Sequence, residues 1–158
     1  MVLPALIQTK RSTILKKWFD LIIDTYPPDA GRFLRSQKNY FANPVGGDIR
    51  QGIEGLLDGL IAGKSRDEIA PSLDRVIRIR SLQKFTPSQA LYYIVQLKDV
   101  VRETLAKELQ SRNLAEELAA FDARLDDLLF LAFDIFVACR DKLVDIRVND
   151  ERRRVALY

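Results

Sequence analysis

The stretch from Leu128 to Cys139, LLFLAFDIFVAC, constrains the fold most, because it is apolar on every side of a helix apart from Asp134. Its 12 residues are too few to span a bilayer, and the acid would lie in the middle of such a span. A helix on the surface of a globular protein keeps one polar face, which this stretch lacks. We therefore expect it to be covered on two sides.

Two apolar stripes run along this segment. The broader one contains Leu125, Leu128, Leu129, Ala132, Ile135, Phe136, Cys139, Leu143 and Ile146. The second, nearly opposite, contains Phe130, Phe133, Val137, Val144 and Val148. A central helix within one core would explain both stripes, and so would a helix that packs on its own domain and on a second copy.

The length of the helix that contains this segment favours packing against a second copy. We expect Asn113-x-x-Glu116 to open a helix that meets no breaker before at least Val148, which is longer than a small domain needs. We predict a homodimer whose interface contains Phe130, Phe133, Asp134, Val137 and Val144. Asp134 would then need a basic partner, either Arg140 or a residue of the other copy.

Helical periodicity extends over the rest of the chain, and no strand-like alternation occurs. The fold class we predict is all-α, a helical bundle with a long C-terminal helix. Three N-terminal signals predict helix starts: Asn43-Pro44, Ser65-x-x-Glu68 and Thr86-Pro87-Ser88-Gln89. We expect Pro71 to interrupt the second of these helices and the third to run to about Gln110.

Composition excludes most catalytic and metal-binding constellations. The chain has no histidine and one cysteine, so it cannot form a Ser-His-Asp triad, an imidazole-ligated haem site or a thiolate metal cage. It also lacks the glycine-rich motifs that cradle nucleotide phosphates. We therefore expect no enzyme, no cofactor and no metal.

The net charge of +3 is unevenly distributed. Residues 64–98 carry seven Lys and Arg against three Asp and Glu, whereas residues 99–134 carry four against nine. This pattern favours pairing between neighbouring helices over a nucleic-acid surface. The N-terminus resembles neither a signal peptide nor a membrane span, and the lone Cys139 suggests no oxidising compartment, so we expect a cytoplasmic protein without membrane contact.

The segment RIRSLQKF contains the first candidate site, formed by Arg78, Arg80 and Gln83 in front of the capped helix. In a purely structural role, the two arginines would pair with acids of the adjacent helix. In a functional role, they would bind an anion or a partner beside a helix N-terminus, where free amides favour negative charge.

The loop FANPVGG and nearby aromatic residues form the second candidate site. Tyr40 and Phe41 would either plug the core beneath the loop or gate a pocket for a small apolar or anionic ligand. Trp18, Tyr92 and Tyr93 could line such a pocket, although core packing explains these three rings equally well.

Several segments together resemble a known family. They are KKWFDLIIDTYP, FANPVG, IRQGIEGLLDGL, RIRSLQKFTPSQAL, FDIFVACRDKL and IRVND. Over residues 10–150 the chain is similar to the N-terminal domain of the RsbRD proteins, which are RsbT co-antagonists. The resemblance implies a bacterial sensory or regulatory domain, haem-free and globin-like, that dimerises and signals through its C-terminal helix to an output domain or protein.

We expect residues 1–150 to form this single helical domain and residues 151–158 to extend the last helix or to form a tail. Three functions stay open at this point: a signalling domain, a small-ligand-binding protein without an output, and a nucleic-acid-binding regulator. The basic pI supports the third only weakly.

Overall fold

The computed structural model describes residues 1–157, which form eight helices and no strand. The all-α prediction is therefore confirmed. The helices are α1 (Leu3–Thr9), α2 (Arg11–Ile23), α3 (Pro28–Ser36), α4 (Pro44–Ile61), α5 (Arg66–Leu82), α6 (Pro87–Thr104), α7 (Ala106–Ser111) and α8 (Ala115–Leu157).

The three predicted helix starts are confirmed. Thr86 accepts a hydrogen bond from the backbone N–H of Gln89 at 3.2 Å, and the side chain of Gln89 accepts one from the N–H of Thr86 at 2.9 Å. Ser65 forms the same reciprocal capping box at the start of α5. The Asn43 side chain accepts from the N–H of Gly46 at 3.0 Å, with Pro44 in the first turn of α4.

Two predicted helix boundaries were wrong. Pro71 does not interrupt α5 but lies exposed inside the continuous helix. Because proline has no N–H, the carbonyl of Asp67 lacks its helical donor. Asp67 is also exposed, so this carbonyl can bind water instead. The helix that begins after Thr86 ends at Thr104, because Leu105 leaves helical geometry (φ −100°, ψ 15°) and is buried in the core, and α7 follows.

Three glycines let α4 and α5 approach closely. Gly52, Gly55 and Gly59 face α5, and a Cβ at Gly59 would lie 2.7 Å from Cγ1 of Ile69. α4 ends at Ile61, and two residues later the chain turns at Gly63, whose φ of +68° suits glycine. The N–H of Lys64 returns to the carbonyl of Gly59 at 2.9 Å, which satisfies an end-of-helix acceptor.

α8 packs against α5 and α6 along the first half of its length. Its inner face buries Leu125, Leu128, Ala132 and Phe136. Ion pairs flank this contact and join Arg66, Lys98 and Arg102 to Asp127, Asp126 and Asp122, respectively. The pairs of Arg66 and Lys98 join the basic segment 64–98 to the acidic segment 99–134 and confirm the predicted pairing, whereas Arg102 belongs to the acidic segment itself.

The C-terminal part of α8 extends beyond this contact. Every side chain from residue 144 to residue 156 is exposed, and the helix continues through residue 150 to Leu157. Among the helices of residues 1–157, none combines the length and apolar character that a membrane crossing needs.

Candidate functional site

The outward face of α8 is an exposed apolar stripe on the single chain. It consists of Phe130, Phe133, Val137, Val144, Val148 and Val155, which are 38–77% exposed. At about 100° per residue these six side chains lie within a sector of about 60° and extend over about 37 Å of helix. We call them the α8 stripe. Its last two members, Val148 and Val155, lie beyond the interface that the sequence predicted.

Asp134 lies beside the α8 stripe and is exposed, and no ion pair involving it occurs within residues 1–157. Of the two basic partners considered for Asp134, Arg140 does not pair with it. Arg140 instead donates from Nε to the carbonyl of Ser81 at 2.6 Å and from Nη2 to that of Phe85 at 2.8 Å. Arg140 thus fastens α8 to the end of α5, so a basic partner for Asp134 would have to come from another molecule.

An apolar groove between α6 and α8 adjoins the α8 stripe. Its volume is about 680 Å³, and its apolar lining includes Leu91, Tyr92, Val95, Leu129, Phe130 and Phe133. Tyr92 is 54% exposed and is the one predicted pocket aromatic found in this groove. The sequence did not single out Leu91 and Val95, because their position beside α8 depends on how the helices pack.

Trp18 and Tyr93 belong to the core, as the structural interpretation of these rings predicted. The rings stack with centroids 5.9 Å apart, and the Trp18 indole N–H donates to the carbonyl of Tyr93 at 2.7 Å. The Tyr93 hydroxyl is buried and has no hydrogen-bond partner within residues 1–157. Burial raises the pKa of Tyr93, and the nearby charge of Arg80 opposes this shift in part.

Tyr40 and Phe41 do not plug the core, so that prediction was wrong. Phe41 is 93% exposed, and Tyr40 lies at the surface, where its hydroxyl donates to the carboxylate of Asp48 at 2.9 Å. This hydrogen bond raises the pKa of Tyr40. Since Trp18 and Tyr93 are buried, the structure does not bring these four aromatic residues into one pocket.

Arg78 and Arg80 have different surroundings. The structural interpretation predicted that both would pair with acids of the adjacent helix, and neither does. Arg78 is exposed and pairs with Asp74 of its own helix at 2.8 Å. Arg80 is 1% exposed and donates to the carbonyls of Ala90 and Gln89, each at 3.0 Å.

A third contact joins Arg80 to Thr25, two residues beyond the end of α2, at 3.4 Å. Since each guanidinium nitrogen of Arg80 has a protein acceptor and the side chain is buried, this residue joins the segment after α2 to α5 and α6 and is not accessible to an anion from solvent. Gln83 accepts a hydrogen bond from the Tyr26 hydroxyl at 2.7 Å and is likewise used within the fold.

Comparison with known proteins identifies one family. The family model described as the RsbT co-antagonist protein RsbRD N-terminal domain matches residues 12–152. A protein of Archaeoglobus fulgidus described as uncharacterized is 26% identical over 145 residues, which cover 89% of this chain and 84% of the relative. No solved structure matches significantly, so the globin-like architecture stays a prediction.

Proposed function

Because the chain belongs to the family of RsbT co-antagonist protein RsbRD N-terminal domains, we propose that it is a cytoplasmic, non-catalytic sensory domain that homodimerises and signals through α8. The family has a regulatory role in stress-response signalling. The proposal has three specific elements: the chain pairs with a second copy of itself, the signal is transmitted along α8, and an output domain or protein receives it.

The α8 stripe is the observation that supports this proposal. A continuous row of exposed apolar side chains is typical of an interaction surface, and a closed two-fold dimer is the simplest assembly that covers it. Phe133, Val144 and Val155 recur every 11 residues, as do Val137 and Val148. An 11-residue repeat keeps apolar residues on one face of a nearly straight helix, so two such helices can pair over a long distance.

The position of α8 supports a role in transmission. The helix rests on α5 and α6 at one end, while its side chains from residue 144 to residue 156 are exposed. A rearrangement of the helical body would therefore reach a segment that is free to contact an output partner.

The test is light scattering on the wild type and on a Phe133→Asp, Val137→Asp double variant. We expect the wild type to be a dimer and the double variant to be a folded monomer, because both positions are exposed on the single chain. Ile146→Asp is the matched control, since Ile146 is 49% exposed on the opposite face of the same helix.

The control variant should remain dimeric. A monomeric wild type would contradict the proposal. A double variant that unfolds rather than dissociates would mean that this face belongs to the core of a single chain.

Binding of a small ligand without a signalling output is the second candidate function. The apolar groove between α6 and α8 favours it, because its volume of about 680 Å³ lies within the range of known ligand pockets. A dimer that covers the α8 stripe would also cover part of this groove and leave less of it open to a ligand. A dimer in the light-scattering experiment would therefore favour the signalling function over ligand binding in this groove.

A further inference from the structure

We propose that the cleft between α2, α3 and α4 binds a small organic anion, a phosphate or carboxylate group carried on an apolar body. The cleft has a volume of about 510 Å³, and five basic side chains line it against two acidic ones. The proposal names a ligand class for the proposed sensory function. It rests on that function only for the claim that the bound anion is the signal. Binding itself requires neither a dimer nor an output partner.

Arg50 of α4 is the centre of this cleft. Its guanidinium carbon lies 3.9 Å from the centroid of the Phe19 ring, a cation–π contact that holds the group against α2. One donor of Nη2 is directed to the carbonyl of Arg35 at 3.3 Å. Its Nε is buried and has no acceptor within residues 1–157. The protein thus satisfies only part of the hydrogen-bonding capacity of a guanidinium that lines the cleft, and such a charged group is suited to an incoming anion.

The charges of the cleft are only partly compensated by the protein. Arg11 is held by both carboxylate oxygens of Asp58, at 2.7 and 2.9 Å, and Arg35 pairs with Asp20 and Asp24.

By contrast, Lys16, Lys38 and Arg50 have no carboxylate within ion-pair distance in the described part of the chain. Glu54 is the lining acid that remains outside the ion pairs. Three unpaired cations against one acid favour a doubly charged anion over a singly charged one.

The cleft also has apolar lining. Phe19 and Ile53 are almost fully buried and contribute to its wall together with Leu15. An inorganic ion would leave Leu15, which is only partly buried, in contact with water, whereas a ligand with an aromatic or aliphatic body would cover it and pack against the exposed edges of Phe19 and Ile53. The expected ligand class is therefore a phosphate monoester or a carboxylic acid that carries an apolar group, and not a bare ion.

Isothermal titration calorimetry with phenyl phosphate, benzoate and inorganic phosphate tests the proposal. We expect phenyl phosphate to bind most tightly, because benzoate carries one charge fewer and inorganic phosphate lacks the apolar body. Arg50→Gln should weaken phenyl phosphate binding about tenfold or more through loss of a charged donor. Arg78→Gln makes the same charge change away from the cleft and should bind like the wild type.

A Lys16→Gln, Lys38→Gln double variant provides a second measurement, since both lysines are exposed and their replacement should leave the fold intact. We expect this double variant also to bind phenyl phosphate more weakly than the wild type. If Arg50→Gln does not fold, the double variant alone tests the proposal. Absence of phenyl phosphate binding in the wild type, or equal affinity in the wild type and the cleft variants, overturns the proposal. So does inorganic phosphate binding as tightly as phenyl phosphate.

Light scattering on the same samples separates the two proposals. A wild-type dimer that binds none of the three anions would overturn the ligand proposal alone. A monomer that binds phenyl phosphate through Arg50 would overturn the proposed dimer alone.

Discussion

Tyr93 holds a hydroxyl inside the core without a hydrogen-bond partner among residues 1–157, while its ring stacks on Trp18. The ring therefore stabilises the core, and the hydroxyl carries a desolvation cost that nothing in the described part of the chain offsets. Arg80 is the opposite case, a buried cation whose guanidinium nitrogens all have acceptors. Burial alone thus does not determine whether a polar residue stabilises the fold; the number of its hydrogen bonds does.

Replacing Tyr93 with Phe should leave the free energy of unfolding at pH 7 unchanged or raise it by up to about 1–3 kcal/mol, because an unsatisfied hydroxyl is removed. In the wild type, burial raises the pKa of folded Tyr93 above that of the unfolded chain. Above the unfolded value of about 10, the unfolded state loses this proton and the folded state keeps it, so Tyr93 lowers stability by about 1.4 kcal/mol per pH unit.

Urea unfolding of wild type and Tyr93→Phe at pH 7 and near pH 11 measures both effects, since the variant should lack this share of the alkaline loss. Burial also raises the pKa of Tyr26, so the difference between the two proteins is the quantity that isolates Tyr93. Tyr92→Phe removes an exposed hydroxyl and is the control at neutral pH. A clear loss of stability in Tyr93→Phe at pH 7 would mean that the hydroxyl has a partner.

At the scale of the helices, the capping box of Thr86 and Gln89 fixes where α6 begins. Thr86→Ala should lower the free energy of unfolding by about 0.5–2 kcal/mol, because a first-turn N–H loses its acceptor. Thr86→Ser keeps an oxygen in place and should retain most of the stability. Thermal or urea unfolding of both variants gives the comparison, and an alanine variant as stable as the wild type would show that the cap contributes little.

Helix starts of this kind could be predicted from the sequence, because a capping box is complete within four residues. Whether α5 tolerates Pro71 depends instead on which side of the helix faces water. Likewise, the break at Leu105 depends on the core that this side chain enters. Phe19 and Arg50 meet across two helices with no pattern in the sequence that links them. The cleft around Arg50 could therefore be recognised only in the folded chain.

At the scale of the whole molecule, signalling through a dimer implies that both α8 helices deliver their C-terminal ends to the same side. Two helices that run parallel about a two-fold axis bring identical residues together. In a Cys139→Ser background, Val148→Cys should therefore form a disulfide between copies on mild oxidation, since its partner cysteine would lie within reach.

Non-reducing electrophoresis detects the cross-linked dimer, and Ile146→Cys, on the opposite face of α8, is the control that should remain uncrosslinked. A dimer that persists in solution without a cross-link at position 148 would contradict the parallel arrangement. The comparison thus tests the direction of the helices separately from the existence of the dimer.

The exposed end of α8 is a lever arm, and Arg140, held by the backbone carbonyls of Ser81 and Phe85, lies near its fulcrum. From residue 140 to residue 157 the arm is about 25 Å long at 1.5 Å per residue, so a tilt of about 10° moves its tip by about 4.4 Å. Such a tilt is a small adjustment where the helix meets α5 and α6. At the tip, the same angle becomes a displacement about as large as an atom, delivered without unfolding any part of the chain.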